Sequence, residues 1–214
     1  GGVLGRHLAQ QLFQRKNYNA AEQLLSKVSP QDPSYLYAQY TLAIINVENK
    51  KSQLAIRNLR TIAEDTAQDA SRGMLMDAAN LKLGHLYYEE VELRKTVEAY
   101  KRVTPQSVYG DEAMLGMAWA YVKVNQPAVG LQILDQLLSI HPQSALIPEA
   151  HLLYGYGNML LKRYPQAKTS LEKCVQLCKG SFITEQDLAQ RTEQFRGVVQ
   201  SFAPTAEKIK KNAL

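Results

Sequence analysis

The sequence predicts an all-α protein, an α-solenoid of about five helix pairs followed by a C-terminal capping helix. Three observations predict this class. Residues 105–113 and 142–150 both read PQSxxxxEA and lie 37 residues apart. A pattern of large, small and aromatic residues recurs five times, at spacings of 34, 41, 34 and 37 residues. Within the units, apolar residues follow helical spacing. Such periods are typical of repeat architectures, in which neighbouring units stack to bury a continuous core.

Each unit contains two small-residue positions separated by twelve residues. The first position is held by Ala9, Ala43, Gly84, Ala118 and Gly155. The second is held by Ala21, Ala55, Thr96, Gly130 and Ala167. A small residue on the first helix (helix A) lets the second helix (helix B) approach closely. Bulky residues then fill the space on either side of the contact.

The array is expected to cover residues 1–180. Its units span about 2–34, 36–69, 77–108, 111–142 and 148–180. In the fourth unit, helix A is predicted over Glu112–Val124 and helix B over Ala128–Ile140. Asn125-Gln126-Pro127 breaks the chain between them. At the next joint Ser144 is expected to cap a helix, with Pro148 in its first turn.

Residues 181–214 are expected to form a C-terminal capping helix and a tail. Thr184-Glu185-Gln186-Asp187 resembles a capping box that opens a helix to about Phe202. The helix would shield the end of the solenoid. An arm that docks on a partner or on a second copy is the alternative.

Composition excludes several classes of protein. The chain has 214 residues and a formal net charge of +5, but its basic residues occur as scattered doublets, which is a weak argument for nucleic acid. Two cysteines cannot form a disulfide framework. No uncharged apolar run reaches the ~18 residues of a membrane helix. The start at Gly1-Gly2 indicates a removed signal or an excised fragment.

No pattern of catalytic or metal-ligating residues is present in the sequence. The four histidines lack metal-ligand spacing, and Cys174 and Cys178 are interpreted as buried structural cysteines. Gly155-Tyr156-Gly157 lies inside a predicted helix, so it is not a phosphate loop. We expect no cofactor, no metal and no enzymatic activity.

The array resembles the tetratricopeptide repeat, whose motif has about 34 residues per helix pair. Leu153-Tyr154-Gly155, followed by Tyr164, Ala167 and Leu171, carries the clearest match. Asn46 and Asn158 depart from the motif where Tyr is expected. The Pro-x-Ser joints are similar to those of bacterial cell-envelope members, such as the barrel-assembly lipoprotein and the Tol–Pal periplasmic coordinator. That similarity favours the periplasm or cell envelope over the cytoplasm.

The resemblance also implies a binding groove lined by the A helices. Carried onto this sequence, its groove-facing positions include Phe13, Tyr37, Tyr40, Leu81, His85, Tyr88, Leu115, Trp119 and Tyr156. This lining is aromatic and apolar, which suits an apolar peptide or an amphipathic helix. It lacks the Lys–Asn pair with which chaperone-binding members clamp a carboxylate. Packing within the chain could instead bury several of these residues.

The sequence therefore predicts a non-catalytic scaffold whose groove captures a protein or peptide, without nucleic acid and without a membrane span. Two alternatives stay open. The chain could be a self-association module, for instance a homodimer, or a regulatory domain of a larger, membrane-anchored protein.

Overall fold

The structure, a computed structural model, describes residues 11–65 and 70–179, and these residues contain helices and turns but no strand. Residues 11–14 are helical. The helices that follow are α1 (Tyr18–Leu25), α2 (Tyr35–Glu48), α3 (Ser52–Ala63), α4 (Ala70–Glu89), α5 (Leu93–Tyr100), α6 (Gly110–Lys123), α7 (Pro127–Ile140), α8 (Ile147–Leu160) and α9 (Tyr164–Lys179).

Consecutive helices form the expected pairs, with residues 11–14, α2, α4, α6 and α8 in the helix A position and α1, α3, α5, α7 and α9 in the helix B position. The predicted α-solenoid of about five helix pairs is confirmed. The predicted capping helix lies outside the described residues. The chain forms two compact units, the first ending at Ala113 and the second beginning at Met114.

A left-handed residue separates helix A from helix B in every pair. The five residues with positive φ share this position: Lys16, Lys50, Val91, Asn125 and Lys162. Their spacings of 34, 41, 34 and 37 residues equal those of the sequence repeat. In each turn the next residue's N–H reaches back five residues, as from Asn17 to the Leu12 carbonyl at 2.8 Å and from Gln126 to the Tyr121 carbonyl at 2.9 Å. This is the Schellman ending of a helix.

The longest of the four repeat spacings, between the second and third helix pairs, has a simple structural cause. The sequence predicts the third pair to begin near residue 77, but α4 begins at Ala70. The additional residues in this spacing therefore correspond to the additional residues at the start of α4.

The duplicated joint also differs from expectation in one detail. Ser144 does not hold the cap position of α8, which belongs to Leu146, whereas Pro148 does lie in the first turn.

The core of the first unit lies between the two helices of each pair and between neighbouring pairs. Leu59 and Ile62 of α3 are completely buried and share a cluster with residues of α2, α4 and α5. At the small position of α4, Gly84 faces the Tyr100 ring of α5. A Cβ built on Gly84 would overlap Tyr100 Cε1. The small-residue position thus sets the distance between α4 and α5.

The second unit has its own core, which is built by the same rule. Leu134 and Leu137 of α7 and Leu153 of α8 are completely buried. A Cβ on Gly155 would lie 2.6 Å from Leu171 Cγ of α9, and one on Gly157 would lie 2.7 Å from Leu131 Cδ2 of α7. Glycines therefore allow α8 to pack closely on both of its neighbours.

We expect Gly84→Ala to lower the free energy of unfolding by about 1–3 kcal/mol, because the added methyl group overlaps a buried ring. Gly73→Ala is the matched control on the same helix. No atom lies within 4 Å of a Cβ added there, so this change should raise stability by about 0.5–1 kcal/mol. Urea unfolding followed by circular dichroism measures both. Equal effects of the two changes would contradict the repeat packing.

We expect Val91→Asn to stabilise the protein by about 1 kcal/mol, because a β-branched residue is strained at positive φ whereas Asn tolerates it. Val91 has φ 63° and is 50% exposed, so little packing is lost. Asn125→Val, at the equivalent turn, is the reciprocal variant and should lose a similar amount. Thermal unfolding of both variants checks this, and a lower melting temperature for Val91→Asn would contradict it.

Candidate functional site

The duplicated PQSxxxxEA segment folds into the same joint at both places. The Ser107 hydroxyl accepts from the Tyr109 N–H at 3.3 Å, and the Ser144 hydroxyl accepts from the Leu146 N–H at 3.0 Å. The next helix A begins a few residues later and carries the glutamate of the motif in its first turn. A carboxylate is favourable there because it faces the positive end of the helix dipole.

In the first unit this glutamate meets the residue that follows the small position of the preceding helix A. Glu112 Oε1 lies 3.4 Å from His85 Nε2. The Tyr100 ring packs against His85, with the ring centroids 5.7 Å apart and the rings at 70°. Gly84 permits this arrangement, since Tyr100 occupies the place of its missing side chain. We call His85 and Glu112 the His85 pair.

In the second unit the equivalent residues form a hydrogen bond. Trp119, which follows the small residue Ala118, donates from Nε1 to Glu149 Oε1 at 3.1 Å. Trp119 is half-buried and Glu149 is exposed. We call Trp119 and Glu149 the Trp119 pair. One motif therefore yields the same combination twice: a nitrogen-containing ring on one helix A, and a carboxylate at the start of the next.

The pKa of His85 determines whether its ring neutralises the carboxylate of Glu112. Burial lowers the pKa of the His85 ring, and the attraction of Glu112 opposes this change. Lys82 acts in the same direction as burial, and Glu89 in the direction of Glu112. The ring is therefore neutral at neutral pH, so it does not cancel the charge of Glu112.

The structure separates the predicted groove residues into two groups. Leu81 and Leu115 are only 3% and 5% exposed. The sequence predicts both in the binding surface, but the structure buries them because they point into the packing between helices. Tyr37 is 44% exposed. The remaining predicted residues are half-buried, and these are Phe13, Tyr40, His85, Tyr88, Trp119 and Tyr156.

Four of the half-buried residues have a partly structural role, and two of them, Trp119 and Tyr156, pack against the core of the second unit. Phe13 packs on Tyr18 with ring centroids 5.6 Å apart, and both contact the core of the first helix pairs. Tyr40 packs against the core of the first unit, and burial raises the pKa of its hydroxyl. Each keeps part of its ring at the surface. Within each unit, the helix A surface formed by the exposed and half-buried predicted residues is called the A-helix face.

Sequence reasoning missed Glu112 and Glu149 as members of this surface. A signal was present, because the glutamate is repeated within the duplicated motif. However, each glutamate belongs to the helix pair that follows its ring, and the sequence separation from His85 differs from the separation from Trp119. Neither separation predicts a contact unless the packing of neighbouring A helices is already known.

The two cysteines are half-buried, whereas the sequence predicts them to be buried. Burial, together with the neighbouring Cys178, raises the pKa of the Cys174 thiol to about 11. Within residues 11–65 and 70–179, no group of three or more His, Cys, Asp or Glu side chains could hold a metal ion. None of the helices in those ranges is long and apolar enough to cross a membrane.

The last described helix pair carries a second apolar surface. A cavity of about 720 Å³ is lined by residues of α8 and α9, among them Met159, Tyr164 and Val175. These three side chains are 49%, 63% and 47% exposed. This surface lies within the second unit and is called the α9 surface.

Comparisons with known proteins agree with the repeat. Residues 112–144 match the model of the tetratricopeptide repeat. The chain is similar to the structure of MamA from Desulfovibrio magneticus RS-1, with 14% identity, 85% of this chain and 97% of that chain covered, and a TM-score of 0.66. It is also similar to a tetratricopeptide repeat protein from Parabacteroides merdae, with 15% identity, coverage of 83% and 67%, and a TM-score of 0.68. No curated protein sequence matches this chain.

We expect the burial of His85 to make the free energy of unfolding depend on pH. Because the pKa of folded His85 is lowered, the unfolded chain binds the proton first as pH falls. The contribution of His85 to the free energy of unfolding is therefore complete above the pKa of about 6.5 that histidine has in the unfolded chain. This contribution is lost as pH falls toward the lower pKa of the folded state. His85→Gln should reduce the stability difference between pH 7.5 and pH 5.5, measured by urea unfolding. An unchanged difference would contradict the assignment.

Proposed function

We propose that this chain is a non-catalytic protein–protein interaction scaffold, because residues 112–144 match the model of the tetratricopeptide repeat and the described helices share the fold of similar solved structures. Its A-helix face binds an apolar peptide or an amphipathic helix of a protein partner. The observation that carries the proposal is the presence, within each unit, of partly exposed aromatic side chains on the A helices. Such residues dominate binding energy at protein interfaces.

The chemistry of the A-helix face supports binding rather than catalysis. Tyr88 and Trp119 present large rings whose positions are limited by the helices that carry them. Rigid aromatic side chains give contact area at a small entropic cost. The Trp119 pair adds orientation, because the hydrogen bond to Glu149 restricts the indole ring. A ligand that packs on this ring thus meets a preorganised surface.

We also propose that this scaffold acts within a bacterial envelope assembly. The support is the pair of Pro-x-Ser joints, which resemble those of envelope members of the family. The identical serine hydrogen bonds at residues 107 and 144 are consistent with one recurring joint.

Self-association is the second candidate function. The α9 surface favours it, since exposed Met159, Tyr164 and Val175 surround an apolar cavity. Contiguous apolar surface of this kind is often covered by another protein or by a second copy. Under this proposal the α9 surface, rather than the A-helix face, forms the main interface. The average molecular mass measured in solution would then rise with protein concentration.

We expect Tyr88→Ala and Trp119→Ala each to weaken partner binding at least tenfold, because interface aromatics of this type contribute about 2 kcal/mol or more. Partners are first captured from cell and envelope extracts and identified by mass spectrometry. Affinities are then measured with the purified partner. Trp119→Phe, which keeps a ring but loses the bond to Glu149, should show an intermediate loss.

Tyr164→Ala is the control, because this exposed tyrosine lies on the α9 surface rather than on the A-helix face. Circular dichroism and thermal unfolding establish that each variant is folded. All variants could have equal affinity, and light scattering could show a dimer that Tyr164→Ala abolishes. These two results together would reject binding at the A-helix face in favour of self-association.

A further inference from the structure

Charges are divided between the two sets of helices in the first unit. The B helices α1, α3 and α5 carry four basic and two acidic residues. The A helices α2 and α4, with the part of α6 that precedes Met114, carry five acidic and two basic residues. The chain is basic as a whole, with net charge +5. An acidic balance on the A helices is therefore a local property.

Two acidic residues on or directly after the B helices pair with an arginine, whereas Glu112 and Glu89 of the A helices do not. On the B side, Glu98 pairs with Arg94 at 3.1 Å and Glu64 pairs with Arg60 at 2.7 Å. On the A side, the partner of Glu112 is His85, whose ring is neutral at neutral pH because burial lowers its pKa. Among the described residues, no lysine or arginine forms an ion pair with Glu112 or Glu89.

Aromatic rings stand beside these carboxylates. His85, Tyr88 and Glu89 are three and four residues apart on α4 and so share one face of the helix. Burial raises the pKa of the Tyr100 hydroxyl, and Glu112, Tyr88 and Glu89 act in the same direction. The surface is accessible, since the side chains of His85 and Glu112 are 31% and 51% exposed. Burial and Lys82 lower the pKa of the His85 ring, whereas Glu112 and Glu89 raise it.

We infer that the A-helix face of the first unit accepts a cationic side chain, a lysine or arginine of the bound segment, beside the Tyr88 and His85 rings and between the Glu89 and Glu112 carboxylates. This inference rests on the proposed function and adds the chemistry of its partner. Carboxylates supply the opposite charge, and ring faces attract cations when water is partly removed. The partner is then an amphipathic segment with a basic residue within or beside its apolar stripe.

The same argument disfavours an acidic partner on this surface. A carboxylate docked beside Glu89 and Glu112 would meet two like charges, and like charges brought together cost binding free energy. The protein contains an example of the favourable arrangement elsewhere in the first unit. The Lys95 ammonium lies 5.7 Å from the centroid of the Tyr87 ring.

The experiment selects binders from a displayed library of 18-residue helical peptides in which one face is randomised. The target is the wild-type protein, and Glu112→Gln and Glu89→Gln are screened in parallel. We expect lysine or arginine at one randomised position in most wild-type binders, with the enrichment reduced on both variants. Glu64→Gln is the matched control, since this exposed carboxylate belongs to the B side.

A selected peptide is then resynthesised with norleucine, an uncharged analogue, in place of the enriched lysine. Fluorescence anisotropy should show about fivefold weaker binding of the norleucine peptide to wild type, the scale of a partly exposed charge and ring contact. The two peptides should bind Glu112→Gln with nearly equal affinity. Higher salt should weaken the lysine peptide more.

The outcomes separate this inference from the function on which it rests. Binders that lack a basic residue, or a lysine preference that survives in both glutamine variants, would overturn the inference while the scaffold proposal stands. Recovery of no binder above background would overturn both. Binding to all variants that is lost only in Tyr164→Ala would place the ligand on the α9 surface and overturn the inference.

Discussion

Close packing of helix B against the small residue of helix A is the contact on which the rest of the structure depends. Gly84 lets Tyr100 occupy the space of a missing side chain, and Gly155 does the same for Leu171. Tyr100 in turn packs against the edge of His85, the residue that follows Gly84. The position that fixes the distance between the two helices therefore also determines the direction of a surface ring. In this architecture the core contact and the candidate site are neighbours in sequence and in space.

The turn between the two helices is the second constraint, because it sets the angle at which helix B returns. The turn requires one left-handed residue, and the chain supplies Lys at three turns, Asn at one and Val at one. None of these is glycine, so the conformation is maintained by the Schellman hydrogen bonds and by helix packing. This explains why the repeat is difficult to recognise by local signals alone. The period of the repeat can be read from the sequence, but the left-handed turn position is not marked by a glycine.

Most of the fold could be predicted from the sequence, but only part of the candidate site. Small residues and breaks are local signals, so the helix pairs followed from them. Exposure depends on neighbouring helices. Leu81 and Leu115 occupy positions that the family resemblance assigns to the groove, yet both side chains are buried. Asn46 replaces an expected Tyr and lies buried, where its amide donates to Asn58. A single sequence does not reveal such a compensating partner.

The carboxylates show why surface chemistry was harder to predict than packing. Glu112 and Glu149 occur in a duplicated motif, but a glutamate in the first turn of a helix is favourable without any binding role. Their additional contacts, with His85 and Trp119, depend on rings that belong to the preceding helix pair in the sequence. On α2 the residue that follows the small position is Ile44 instead of His85 or Trp119. On the next helix A, α4, the position that corresponds to Glu112 and Glu149 is held by Ala78. A carboxylate thus accompanies a ring nitrogen at both PQSxxxxEA joints, and it is absent where an aliphatic side chain offers no partner. This pairing of a ring nitrogen with a carboxylate, rather than the motif alone, distinguishes the A-helix face from an ordinary solvated helix surface.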